Sequence, residues 1–283
     1  MSRGLTAGLN LGFTKGEPRA RVLKNRELFF HQLGVEDFAL AGLRQVHSAT
    51  VYQVRRATCG EFEYRLGGSQ LPEQPAVAQP TGDALLTDQK GILLSVRSAD
   101  CLPVLLVDAK QRAVAAIHAG WRGALARIVE KTVGEMRRLF DSEPRSLLAV
   151  LGPSIRVCCY EVGQDVEEAF QGRFANADKF FRKRPEASAS HPDRHSLSFL
   201  NMLPPGSNAV SIPSTHLDLV AVAQDQLQSA GLLPHHVARV DFCTACRTDL
   251  FYSYRQEGTS VGRMLAVIGI RPSSTGTPAC GQG

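Results

Sequence analysis

Apolar and polar positions alternate with several distinct periods along the chain, and each period predicts an element. Four short apolar runs dominate the middle: Ala84 to Asp88, Ile92 to Arg97, Val104 to Asp108 and Ala113 to His118. Each is too short for a helix and is bounded by turn residues, so all four read as buried strands of one sheet. After Gly120-Trp-Arg-Gly123 the apolar residues fall at Leu125, Ile128, Val129, Val133, Met136 and Leu139. That spacing puts them on one face of an amphipathic helix of about five turns. Strand, turn and helix in succession predict an α/β fold.

The flanks are less regular. Arg19 to Leu33 predicts a helix closed by Gly34, because helices often end on a left-handed residue and glycine adopts that conformation freely. Leu40 to Val46 and Thr50 to Val54 carry β-branched residues on either side of His47 and Ser48, and predict one bent strand or a strand pair. Leu147 to Gly152 predicts a further strand and Gly163 to Phe170 a helix. Ser214 is the candidate N-cap of a helix through Leu217, Val220, Ala221, Gln224 and Leu227 that stops near Gly231. Val237 to Phe242 and Met264 to Ile270 predict the last strands. Two stretches, Thr58 to Gly82 and Phe174 to Pro213, lack a period and read as polar insertions. Within the second, Phe181-Arg-Lys-Arg-Pro185 reads as a solvated loop, and Ser273 to Gly283 is expected to fray.

Composition narrows the class. With 43% hydrophobic and 21% charged residues, the chain is expected to fold rather than remain disordered. Its most apolar stretch, Ile92 to Ile117, is broken by Arg97, Asp100, Asp108, Lys110 and Arg112, so no bilayer-spanning run of about 18 apolar residues exists. Met1 to Gly16 lacks the apolar segment and cleavage site of a secretory signal, and the expectation is a cytoplasmic protein. Seven cysteines, an odd number, fit reduced thiols better than a disulfide framework. The net charge of +5 is spread along the chain, which argues against a nucleic-acid surface and suits small anionic substrates. Although 283 residues could make two domains at about 150 each, no linker divides them.

Three candidate ligands sit at or just beyond strand ends: His47, Cys101 in Ser98-Ala-Asp-Cys-Leu-Pro103, and His118. Open α/β sheets bind ligands where strand ends converge. Two imidazoles and a thiolate would make a three-ligand zinc site with an open fourth position, the catalytic type. Spacing alone favours the plainer alternative of two hydrogen-bonded histidines and a cysteine acting as a small hydrophobe. Gly120-Trp-Arg-Gly123 either turns the chain under a core tryptophan or presents backbone N–H groups and the Arg122 guanidinium to an anion. Arg255 and Arg263 flank a glycine-bounded loop and could close over an anionic ligand or face solvent. Cys243-Thr-Ala-Cys246 has C-x-x-C spacing, but no second pair completes a closed zinc site nearby in sequence, which favours a packing or turn role. Adjacent Cys158 and Cys159 are expected to be free thiols.

Six motifs occur in a fixed order: Gln45-Val-His47; Ala99-Asp-Cys-Leu-Pro-Val104; His118-Ala-Gly-Trp-Arg-Gly123; Leu151-Gly-Pro-Ser-Ile155 with Cys159-Tyr-Glu-Val162; Cys243-Thr-Ala-Cys246; and Tyr252-Ser-Tyr-Arg255 with Gly262-Arg263. Together they resemble the laccase-domain, or polyphenol oxidase-like, family from about Asn10 to Ile270. Members are described as purine nucleoside phosphorylases with adenosine deaminase activity. The resemblance implies a single mixed-sheet α/β domain flanked by helices, with a fold like that of cysteine hydrolases. It further implies Zn2+ at the positions of His47, Cys101 and His118, with purine nucleosides and phosphate as substrates. By analogy with other anion sites, Arg122, Arg255 and Arg263 are candidates for phosphate. Asp100, beside Cys101, would move a proton or orient one of the histidines.

Three other functions compete. A copper-dependent phenol oxidase needs a blue site and a histidine-rich trinuclear cluster, which eight histidines without an H-x-H pair build poorly. A cysteine hydrolase or amidase acting on cell-wall precursors would use Cys101 as nucleophile and His118 as base. A non-catalytic zinc-binding module would bind metal and turn over nothing.

Overall fold

The computed structural model describes residues 8–56, 61–68, 79–184 and 214–272. Its main sheet is built on the apolar runs. β2 (Val51–Arg56), β4 (Ala84–Thr87), β6 (Leu102–Asp108), β7 (Ala113–Ala119) and β8 (Leu148–Leu151) are joined by β3 (Phe62–Leu66) and β12 (Val237–Arg239), in the order β12-β8-β6-β7-β4-β2-β3. A smaller sheet, β1-β5-β13, combines β1 (Ala39–Ala41), β5 (Ile92–Ser98) and β13 (Met264–Gly269). The four central runs therefore do not share one sheet. β5 pairs with β1 in parallel and with β13 antiparallel, and stacks on the main sheet.

This layering explains the continuous apolar runs. In β7, Ala113, Ala115, Ile117 and Ala119 enter the core under the helices, while Val114 and Ala116 enter the core between the two sheets. A strand buried on both faces loses the period-two signal of a half-exposed one. The outer face of the main sheet is covered by α3 (Ile128–Phe140) and α5 (Leu219–Ser229).

Several predicted elements shift. The helix expected from Trp121 to Leu139 is two, α2 (Trp121–Leu125) and α3, because Arg127 adopts a left-handed backbone between them (φ 61°). Arg127 is fixed there by Glu130 at 2.7 Å and by stacking on Phe174. Ser214 does not cap a helix. Ser214–Leu217 is β11, paired with β10 (Phe181–Arg184) and β9 (Glu161–Val162), and the cap of α5 is Asp218, whose Oδ1 accepts from the N–H groups of Val220 and Ala221. The basic run at Phe181 is thus a strand rather than a loop. The first expected insertion contains β3, antiparallel to β2, with Tyr64 buried and its hydroxyl donating to Gly42 O. The parts of both insertions at 58–60, 69–78 and 185–213, and the tail at 273–283, lie outside the described residues. The runs at Leu40 and Thr50 form neither one bent strand nor a strand pair, since β1 and β2 lie in different sheets, and the second expected insertion opens with core residues, Phe174, Phe180 and Phe181 being buried. Two expected helices stand where the spacing puts them: α1 is Arg19–Leu33 closed by left-handed Gly34, and α4 is Gln164–Gln171. No helix among the described residues is long and apolar enough to cross a membrane.

Candidate metal centre and its pocket

Strand register brings the three candidate ligands together. β6 and β7 pair so that Leu102 faces Ala119, which sets Cys101, one residue before β6, against the end of β7 where His118 lies. β4 pairs with β7 through Ala84 and Ile117, and the preceding residue, Asp83, accepts the His118 N–H at 2.8 Å. β2 lies parallel to β4, so the chain before it carries His47 to the same edge. The site occupies the edge where β2, β4 and β6 begin and β7 ends, so Cys101 and His47 precede strands rather than follow them.

The ligand atoms of His47, Cys101 and His118 all lie within 4.8 Å of one another. Cys101 Sγ is 3.5 Å from His47 Nε2, and the two imidazoles meet edge to face at 4.9 Å. A tetrahedral zinc with Zn–N of about 2.1 Å and Zn–S of about 2.3 Å separates such donors by about 3.6 Å. The donor set and spacing fit that ion.

Asp83 holds this arrangement, and the sequence reading did not single it out. Its carboxylate, fully buried, accepts from three successive backbone N–H groups, Val46, His47 (3.0 Å) and Ser48 (2.6 Å), and from the Ser48 hydroxyl. Its Oδ1 also meets His118 Nδ1 at 2.9 Å, which turns Nε2 of that ring toward Cys101. A carboxylate behind a ligating histidine fixes its tautomer and orientation. Burial pushes the Asp83 carboxyl up, but the bonds from His118 and Ser48 outweigh it and bring it down to about 2. The only sequence signal is an acidic residue directly before the short run Ala84-Leu-Leu-Thr87.

Charges inside the triad are strongly coupled. Burial pushes the Cys101 thiol up, yet His118 and His47 together bring it down to about 6. Burial lowers His118, and Cys101 with Asp83 override it and raise the imidazole to about 9. Asp100 does not orient either histidine. Its Oδ1 accepts from the Thr244 hydroxyl at 2.6 Å and its Oδ2 from the Arg255 N–H at 2.7 Å.

A pocket of about 680 Å³ opens over the triad and includes Arg122, Arg255 and Arg263 in its wall, together with Arg97, Trp121 and Tyr160. The arginines differ in what they have left to offer. Arg263 donates to the carbonyls of Val261 and Gly262, and Arg255 to those of Cys159 and Glu161. Arg122 stacks on Trp121 at 4.3 Å and makes no hydrogen bond through its guanidinium among the described residues. Trp121 therefore does both: its partly buried ring packs against the core and carries Arg122 at the pocket wall. Arg97 and Tyr160 were missed because their strand and turn contexts look structural. Burial and the Cys101 thiolate push the Tyr160 hydroxyl up, so it remains a neutral donor.

A second cluster was also missed: Cys158, Cys159, Cys243 and Cys246 bring their sulfurs within 4.8 Å of one another. The expectation that no partner completes the C-x-x-C is corrected, since the partners lie 87 residues away from Cys246 in the case of Cys159.

A profile of the multicopper polyphenol oxidoreductase laccase family matches residues 1–271. The chain belongs to that family. Within it, the chain is similar to an adenosine deaminase named RL5 from an unknown prokaryotic organism, at 31% identity over 94% of this chain and 88% of the relative. A purine nucleoside phosphorylase of Bacteroides thetaiotaomicron is 34% identical over 94% and 86% of the two chains. Among solved structures, YlmD from Geobacillus stearothermophilus matches with a TM-score of 0.72 at 29% identity, over 95% of this chain and 87% of that one. The laccase family's description implies copper, and the donors here fit a multicopper centre poorly. The described residues offer one group of two histidines with a cysteine and one group of four cysteines, no histidine-rich cluster, and no methionine in the pocket wall to complete a blue-copper site.

Proposed function

We propose that this chain is a zinc-dependent purine nucleoside phosphorylase that also deaminates adenosine, working as a single domain in the cytoplasm. The observation that carries the reading is the convergence of His47, Cys101 and His118 beneath an arginine-lined pocket, in a chain about one-third identical to named phosphorylases. The pocket's volume lies within the range of small-molecule sites, about 300–1,000 Å³. Free thiols at all five described cysteines suit a reducing compartment.

The substrates are adenosine, inosine, guanosine and methylthioadenosine. Phosphorolysis moves the sugar from the purine nitrogen to a phosphate oxygen, giving base and the sugar 1-phosphate. Deamination of adenosine exchanges its amino group for a water oxygen and releases ammonia. His47, Cys101 and His118 would hold the zinc, which would supply a Lewis acid able to activate water at neutral pH. Arg122 binds the phosphate through its uncommitted guanidinium fork, with Arg255 and Arg263 adding charge from the opposite segments. Asp83 keeps the His118 Nδ1 proton in place, and the Tyr160 hydroxyl donates to a polar atom of the nucleoside. Asp100 acts as a positioning residue for Arg255.

The low-lying Cys101 thiol beside a high-lying imidazole also describes a nucleophile and base, which favours a cysteine hydrolase as second reading. One assay separates them. Protein of known metal content is incubated with adenosine, with and without phosphate, and the products are followed by chromatography. Adenine appears only with phosphate and inosine appears without it; Cys101→Ala and chelation abolish both. Arg122→Ala raises the KM for phosphate by about tenfold or more, the loss of one charge-assisted contact, and leaves inosine formation. Activity that survives chelation but not alkylation would establish the hydrolase instead.

A further inference from the structure

The four clustered cysteines arise from two segments that the backbone holds side by side. Cys158 and Cys159 follow β8 and precede β9, while Cys243 and Cys246 follow β12. Ser154 and Cys243 form a parallel bridge, and Thr244 N donates to Ser154 O at 3.1 Å. Sγ of Cys246 lies 3.5 Å from Cys158 Sγ and 3.3 Å from Cys159 Sγ. A disulfide would need about 2.05 Å. A tetrahedral tetrathiolate zinc, with Zn–S of about 2.3 Å, needs sulfurs about 3.8 Å apart. The observed separations lie close to that edge length.

The surroundings are built for negative charge. Four thiolates around a divalent ion carry a net charge of two negatives, and three arginines bind the carbonyls of the same segments. Arg156 donates to Phe242 O and Val240 O, Arg184 to Cys158 O and Arg255 to Cys159 O. Arg156 N also donates to Cys243 Sγ at 3.4 Å, the backbone bond that a ligating thiolate accepts. Packing alone gives no reason to gather four sulfurs this closely and to tie their segments down with three arginines.

We propose that Cys158, Cys159, Cys243 and Cys246 bind one Zn2+ in a closed structural site, separate from the His47, Cys101 and His118 centre. The four protein ligands leave no position for substrate. What the ion does is clamp the C-x-x-C loop. That loop carries Thr244, whose hydroxyl bonds Asp100, and Asp100 in turn holds the Arg255 N–H at the pocket wall. Tyr160, next to Cys159, lines the same pocket. A metal clip outside the pocket thus fixes two of its walls.

The test counts and identifies the metal in the full chain. Protein produced with zinc and dialysed against metal-free buffer is analysed for zinc and iron, as wild type, Cys101→Ala, Cys246→Ser and the double variant. Cys246 is exposed, so its serine variant is the mildest available. One zinc for each of the two clusters is expected in the wild type, one fewer in each single variant, and none in the double. Zinc-edge absorption of Cys101→Ala should show a sulfur-only shell at about 2.3 Å, a reading that stands even if Cys246→Ser fails to fold. Three results would overturn the proposal: wild-type protein whose zinc is all lost in Cys101→Ala, a disulfide among the four cysteines in protein purified without reductant, or iron in place of the second zinc.

Discussion

Asp83 carries more of the candidate centre than any residue that spacing singles out, because one carboxylate fixes both the His47 backbone and the His118 ring. Asp83→Asn should weaken zinc binding by about 10- to 100-fold, measured by chelator competition. In metal-free protein the same carboxylate links stability to pH. Its folded pKa, about 2 against an ordinary 3.8, means that its stabilisation is complete above pH 4 and is lost as pH falls through 2. That term is about 2 kcal/mol, and Asp83→Asn should remove it from the acid limb of the unfolding curve. Cys101 offers a second check. Its alkylation in metal-free protein should rise with an inflection near pH 6, and His118→Ala should move the inflection toward that of an ordinary thiol. Added zinc should protect it. His47, Cys101 and His118 were legible from sequence because chemically distinctive side chains fell at strand ends. Asp83 and Arg97 were not, since a carboxylate in a turn and an arginine in a strand acquire meaning only from partners far along the chain.

Among the elements, the short α2 matters most for the site, since its N-cap Gly120 abuts the ligands. A Cβ at Gly120 would lie 2.4 Å from His47 Cδ2 and 3.1 Å from Cys101 Sγ, although the backbone itself (φ −79°) suits alanine. Gly120→Ala should therefore release zinc while thermal unfolding stays cooperative, read by metal analysis beside calorimetry. The sequence places every central strand within a residue or two, because runs of apolar residues between turns have few alternatives. It misplaces β5 in the main sheet, for a strand buried on both faces carries no mark of its neighbours. It also runs α2 into α3, since Arg127 turns left-handed through contacts with Glu130 and Phe174 that no helical period reveals.

At the scale of the molecule, β7 is the common support, lying between β4 and β6 and buried on both faces. Ile117→Ala, at a fully buried position one residue from His118, should cost about 2–5 kcal/mol in denaturant unfolding. The pocket draws on residues from Gly12 to Arg263, so almost the whole chain must fold before any of it exists. That dependence on long-range register is why the α/β class could be read from the sequence and the pocket wall could not. The left-handed backbone of His47 (φ 62°) has an evolutionary corollary. Such a conformation costs an ordinary side chain about 1–2 kcal/mol and a glycine almost nothing, and the His47 ring is exposed. Selection for folding gives no reason to retain histidine there. In a lineage that had ceased to use the proposed metal, drift to glycine at this position would run downhill, and loss of the histidine would be an early trace of an abandoned activity.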